Sequence, residues 1–183
     1  ALSNKKNHYD MVRLGIALYG INPLEDKTLN LKQAVKLQSE IIQIRWIKTS
    51  STVGYGATYK ANEKTKLATI PVGYADGYPR VLGNIASVYV ENNFAPIVGR
   101  VSMDLIVINI TNISAKIGSK VILFGGPIDI DYLAKSAGTI SYELLTRLSS
   151  RYPRIYFNSE KNWNEYNYKY LKLYRKNFYI FLF

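Results

Sequence analysis

Apolar and polar positions alternate with a period of two through much of the middle of this chain, the signature of half-buried β-strands. In LKQAVKLQSEIIQIRWIK, Val35, Leu37, Ser39 and Ile41 hold one phase, and Ile42, Ile44 and Trp46 hold the opposite one. A phase change inside a strand predicts a bulge. KLATIPVGYA predicts a second strand. SVYVENNFAPIVGRVSMDLIVINIT predicts a hairpin turning at Asn92-Asn93 and then a further strand, and SKVILFGG predicts another, ended by Gly125-Gly126. Met11–Gly20, MVRLGIALYG, is short, apolar and closed by Gly20 and Pro23. It predicts a buried strand, with Arg13, Gly15 and Ala17 on one side and Leu14, Ile16 and Leu18 on the other. Helical signals come late. DIDYLAKSAG predicts a helix capped by Asp129 or Asp131 with Gly138 just past its end, and ISYELLTRLSSRYPR a short helix stopped before Pro153. NPLEDKTLN reads as a linker and TSSTVGYGATYKANEK as a polar, Gly-rich loop. No internal repeat is visible. The expected fold is mainly antiparallel β with two short helices.

Composition narrows the classes. The 183 residues are 48% hydrophobic and 20% charged, a globular balance. There is no cysteine and one histidine, His8, so a disulfide framework, a Cys-based zinc site and a histidine metal cluster are not expected. The first ten residues lack the apolar core of a signal peptide, and no apolar run reaches transmembrane length. A cytoplasmic location without a membrane partner is the expectation. The net charge of +11 is partly a property of the tail, where Lys161, Lys169, Lys172, Arg175 and Lys176 face Glu165. Elsewhere the excess is scattered, with no Lys/Arg run longer than two. An RNA-binding sheet would interleave basic and aromatic residues on one face. The tail has that composition, but so does a low-complexity terminus, and no nucleic-acid partner is expected.

Candidate chemistry gathers where tyrosine stands beside glycine, in TVGYGATY and IPVGYADGYPR. A tyrosine hydroxyl, with an ordinary pKa of about 10, serves as a base only where a nearby cation or donor favours its anion. Gly54 and Gly56 would let a loop tip present Tyr55 without steric cost. From the residues alone, Tyr55 reads as one of 16 tyrosines on a tyrosine-rich surface. An arginine within an apolar strand, Arg13, is costly unless paired, and a salt bridge at the core's edge is its simplest reading. Met103 reads as gap-filling core. Asp76, Gly77 and Tyr78 read as turn chemistry.

Taken together, MVRLGIALYG, VGYGATY, IPVGYADGYPR, APIVGRVSMD and SYELLTRLSSRYPRIY resemble alanine racemase in wording, order and spacing, from about Asp10 to Tyr156. The resemblance implies that residues 1–28 are a remnant of an N-terminal (β/α)8 barrel that binds pyridoxal 5'-phosphate. It implies that residues 29–158 are the family's β-rich C-terminal domain. Residues 159–183 match nothing and stay unassigned. The family interconverts L- and D-alanine, a supply for peptidoglycan precursors, with the cofactor as electron sink for a carbanion at the alpha carbon. Two bases are needed, one on each face of the planar intermediate. One is the cofactor's attachment lysine; the other is a tyrosine matched here by Tyr55.

The same resemblance assigns the other candidates. Arg13 matches an arginine that donates to the cofactor's pyridine nitrogen and, being always charged, keeps it unprotonated. Gly15 and Ile16 match positions whose backbone amides hold the phosphate. Met103 matches a residue whose amide contacts the substrate carboxylate, with Asp104 beside it; Ser102 stands where many relatives carry cysteine. Tyr74 matches the lining of the corridor to the cofactor, and Arg80 and Arg100 match arginines further out along it. There are departures. A family tyrosine that touches the phosphate falls near Ser150, with Tyr152 offset by two, and that role stays unassigned. The barrel stretch that carries the attachment lysine is missing, and YKANEK, with Lys60, is a half-match lacking the downstream Tyr-Gly-His-Gly. The expected active form is therefore a homodimer, with Tyr55 reaching the other subunit's cofactor, or an assembly with a separate barrel half. The chain alone is expected to be inactive. The alternative is a non-catalytic, truncated β-domain that acts as an interaction module through an exposed strand around Arg13.

Overall fold

The computed structural model describes residues 6, 8–24, 30–156 and 178–182, the last group as backbone only. Most of the expected linker and most of the basic tail lie outside these residues. The alternating segments form strands, as the period of two requires. They are β1 (Val35–Glu40), β2 (Gln43–Ile47), β3 (Thr52–Val53), β4 (Tyr59–Lys60), β5 (Thr65–Ile70), β6 (Ser87–Val90), β7 (Asn93–Pro96), β8 (Ile106–Asn109), β9 (Lys120–Phe124), β10 (Arg154–Tyr156) and β11 (Phe178–Leu182). Two helices, α1 (Ile130–Ser136) and α2 (Ser141–Thr146), follow β9.

Six strands make one sheet in the order β10-β11-β1-β9-β6-β7, three make a second in the order β2-β5-β8, and β3 pairs with β4 alone. All neighbours are antiparallel except β10 and β11, which run parallel. The core lies where the sheets and helices meet, around Leu37, Ile41, Ile70, Ile106, Ile108 and Leu123, all essentially sealed from solvent.

The phase change after Ile41 turns out to be a change of sheet. The Ile41 N–H donates to the Ser119 carbonyl beside β9, and the Ile42 N–H donates to the Thr69 carbonyl of β5, both at 3.0 Å. One residue thus still serves the first sheet and the next already serves the second, and their side chains must face opposite ways. A register shift does occur in this segment, but between Leu37 and Gln38, opposite β9. The hairpin at Asn92 forms as its turn residues predict, with Glu91 and Asn92 both at positive φ. Asp129 caps α1, its side chain accepting from the Asp131 N–H at 2.9 Å.

Met11–Gly20 is not a strand. Residues 11–14 are irregular, and Gly15–Tyr19 form a 3-10 turn closed by Gly20 at φ +75°. An extended strand needs a neighbour to take its N–H and C=O groups, and no described strand pairs with residues 11–14. Gly15 at φ +60° then turns the chain. Ile16 and Ile21 are buried, whereas Arg13, Leu14, Leu18 and Met11 face solvent. The exposed strand on which an interaction-module reading would rest is therefore absent here.

Candidate active site

Tyr55 stands at the tip of the β3–β4 hairpin. Gly54 and Gly56 on either side adopt φ of +76° and +71°, a region that costs most residues a Cβ clash. The ring is 72% exposed. Space is the second reason for these glycines. A Cβ on Gly54 would lie 3.1 Å from the Arg100 amide nitrogen, and one on Gly56 would lie 3.3 Å from Arg100 Nη1. The tip therefore leans on Gly99 and Arg100, and the Arg100 guanidinium rests against the residue next to Tyr55.

Asn84 ties this arrangement together. The Gly99 N–H donates to its Oδ1 at 2.6 Å, while its Nδ2 donates to Thr58 Oγ1 at 3.1 Å. One amide thus links the tyrosine hairpin to the segment that carries Arg100.

Tyr74 opens a short 3-10 turn, Tyr74–Asp76, after β5. The Tyr74 N–H donates to the Ser102 carbonyl and the Ala75 N–H to the Met103 carbonyl, both at 3.0 Å. Approach is so close that a Cβ on Gly73 would sit 2.2 Å from the Met103 carbonyl oxygen. Those two motifs, GYADGY and VSMD, are thereby zipped backbone to backbone. The Met103 side chain is half-exposed. The Met103–Asp104 turn is closed by Ser102, whose Oγ accepts from the Leu105 N–H at 3.0 Å. This gives Ser102 a local structural task at the position where cysteine was the family expectation. Arg80 begins another 3-10 turn and lines a cleft of about 440 Å³ with Tyr74, Tyr78 and Arg147.

Two turn residues do more than the sequence reading assigned to them. Asp76 is fully buried, and its Oδ2 accepts from the Gly73 N–H at 2.8 Å. Its Oδ1 lies 3.2 Å from Arg151 Nη1. Tyr78 is core: its ring is 1% exposed and its hydroxyl has no hydrogen-bond partner among the described residues. Burial pushes that hydroxyl far above the ordinary tyrosine range.

Arg13, Gly15 and Ile16 form a second, separate group. Gly15 and Ile16 line a cleft of about 650 Å³ with Tyr19, Tyr142, Leu145, Leu148 and Tyr156, and none of the Tyr55–Tyr74–Met103 group borders it. The N–H groups of Gly15 and Ile16 open a 3-10 turn, so neither has a partner within it. Ser150 is exposed in the segment between α2 and β10, and Tyr152 in the same segment is buried in the core. Lys60 is exposed on β4. Among the described residues no cluster of three His, Asp or Glu side chains could hold a metal ion, and no helix is long and apolar enough to cross a membrane.

The family described as "Alanine racemase, C-terminal domain" matches residues 34–156. The alanine racemase of Vesicomyosocius okutanii is 48% identical over 151 residues, covering 82% of this chain and 43% of that protein. The alanine racemase of Rhodospirillum rubrum is 46% identical over 152 residues, covering 81% of this chain and 41% of that protein. A crystal structure of alanine racemase from Bartonella henselae with covalently bound pyridoxal phosphate superposes with a TM-score of 0.75 at 39% identity, covering 78% of this chain and 40% of that one. The chain thus spans less than half the length of the curated relatives it matches. Sequence and fold agree from β1 to β10, and the chain belongs to the alanine racemase C-terminal domain family.

Proposed function

We propose that this chain supplies the second half of a pyridoxal 5'-phosphate-dependent alanine racemase, with Tyr55 as the acid–base group on one face of the substrate's alpha carbon. The observation that carries the reading is the presentation of Tyr55. Its ring leaves the domain on a hairpin tip with positive-φ glycines on both sides, backed by the Arg100 segment. The half-exposed Met103 turn places an amide for the substrate carboxylate, and Tyr74, Arg80 and Arg100 border the approach. Such a lining admits a small zwitterion and disfavours bulkier amino acids.

The cofactor, when bound, supplies the electron sink that makes the alpha proton acidic. Arg13 would donate to its pyridine nitrogen, and the Gly15 and Ile16 amides, which open their turn without an internal partner, would take its phosphate. The donor set fits an aromatic nitrogen and a dianion. The attachment lysine would come from a barrel half, and Lys60 is not that lysine. In this reading residues 1–28 belong to the barrel, and the active form is a cytoplasmic homodimer in which Tyr55 covers the partner's barrel mouth.

The experiment is a racemase assay on the chain alone, on the chain joined to a barrel half, and on the joined form carrying Tyr55→Phe. The chain alone is expected to show no turnover. The joined form should racemise alanine, and Tyr55→Phe should lower that rate by roughly 10²–10⁴-fold, the contribution of a general acid–base group. Undiminished activity in both directions would remove Tyr55 from the role.

A further inference from the structure

We propose that Arg151 is a positioning residue that sets the Tyr74 turn and the Met103 turn in one register by bridging two carboxylates. The inference rests on the proposed racemase reading only for what the turns then do. Its geometry stands apart from that reading. Asp76 is fully buried, and a buried carboxylate is costly unless paired and hydrogen-bonded. It meets the Gly73 N–H with one oxygen and Arg151 Nη1 with the other. The second arm of the same guanidinium, Nη2, donates to Asp104 Oδ1 at 2.9 Å. One planar fork therefore spans a carboxylate from each turn. A lysine, with a single ammonium on a flexible stem, cannot hold both in that geometry.

The surroundings hold Arg151 itself in place. Its own N–H donates to Ser149 Oγ at 3.1 Å. The Ser149 N–H reaches back to the Asp76 carbonyl at 3.4 Å. A Cβ on Gly77 would lie 2.3 Å from the Arg147 carbonyl oxygen, so residues 147–151 run directly along the Tyr74 turn. Leu148, in the same stretch, lines the cleft of Gly15 and Ile16. The segment after α2 thus touches both candidate groups, and Arg151 is its charged contact to the one that carries Tyr74 and Met103. Tyr74 and Ala75 hold the Ser102 and Met103 carbonyls on one side of the Met103 turn, and Asp104, the residue after Met103, is held by Arg151 on the other, so releasing Asp104 loosens the turn on the side that the backbone bonds do not hold. Held, the amide keeps one position for a substrate carboxylate.

The test has two readouts. The first is amide hydrogen exchange of the full chain, unaltered and as Arg151→Gln and Asp104→Asn. Asp104→Asn breaks only the half-exposed end of the bridge and is the variant that remains informative if Arg151→Gln fails to fold. Asp104→Asn is expected to speed exchange about tenfold at residues 103–105, the scale of one charge-assisted hydrogen bond. Arg151→Gln should do so at residues 73–75 as well, with β2, β5 and β8 unchanged. Unchanged exchange in both turns, or an equal rise across the three-stranded sheet, overturns the proposal. The second readout is the holoenzyme that contains this chain. There Asp104→Asn should raise KM for alanine about tenfold and alter kcat less than threefold. An unchanged KM, or a fall in kcat alone, overturns the link to substrate. If the unaltered holoenzyme does not racemise alanine, the racemase reading fails, while the exchange pattern still decides the clamp.

Discussion

The Tyr55–Tyr74–Met103 region and the Met11–Gly20 segment carry motifs of equal clarity, yet they fold to opposite degrees. In the first, every motif is braced by another motif: the hairpin tip by Gly99 and Arg100, the Tyr74 turn by Ser102 and Met103, and both turns by Arg151. In the second, the motif has one buried side chain in its turn, Ile16, and an exposed row of apolar ones, including Met11 at 82% and Leu18 at 64%. The difference teaches where each motif's partners lie. Motifs whose partners are in the same domain are fixed in backbone position, whereas the Arg13 segment has its polar groups and apolar surface turned outward.

The strongest way to break this comparison is with two matched substitutions. Gly73→Ala drives a methyl into the Met103 carbonyl, 2.2 Å away, and should cost about 3 kcal/mol in urea unfolding. Gly15→Ala meets nothing closer than the Tyr142 hydroxyl at 3.8 Å and suffers only its φ of +60°, about 1 kcal/mol. Equal costs at the two sites would erase the contrast. Between these values lies Asn84→Ala, which orphans the buried Gly99 N–H and frees the hairpin from Arg100. About 1–2 kcal/mol is expected from equilibrium unfolding. A loss confined to racemisation, with stability intact, would instead make Asn84 an active-site group.

Much of the fold was legible because a strand's alternation is written locally. The Asn92 hairpin, β5, β9 and both helices follow from residue order alone. Partner choice is not local. The phase change at Ile41–Ile42 was visible, but whether it marks a bulge or a move between sheets depends on Ser119 and Thr69. Met11–Gly20 has a strand's composition and lacks, among the described residues, the neighbours that would make it one. In the candidate site, motifs single out Tyr55, Tyr74, Arg100 and Met103, and the structure shows which of those motifs touch. Arg151 was not, because its Asp104 partner is 47 residues away and no spacing rule connects them. Asp76 offered one usable signal: it stands three residues after Gly73, the interval at which an acidic side chain folds back to cap a turn.

The smallest expected effects are pH-dependent and test packing outside the contrast. Burial, and then neighbouring Lys120, hold the Lys36 ammonium down to about 8 from its ordinary 10.5. Between those values the unfolded chain binds more protons, so stability should rise with pH across that window. Tyr78 acts with the opposite sign. Its folded-state value is raised, so its contribution is fully present below about pH 10 and is lost as pH climbs beyond the value of a free tyrosine. Urea midpoints from pH 7 to 11 should therefore rise and then fall. Lys36→Met should flatten the rise and Tyr78→Phe the fall. Since the Tyr78 hydroxyl has no partner among the described residues, Tyr78→Phe should cost little at neutral pH.

The order of the six-stranded sheet bears on how the protein behaves when concentrated. Its long strands, β1 and β9, are flanked on both sides, and the outermost positions fall to β10, three residues long, and to β7, which ends in Pro96. A row of unpaired backbone groups is a template on which further chains can grow, and short edges and proline blunt it. The backbone of Phe178–Leu182, laid between β1 and β10, keeps the length of β1 from becoming such a row. Shortening the chain before Phe178 should thus show first as light scattering at high concentration, ahead of any change in the Tyr55 hairpin.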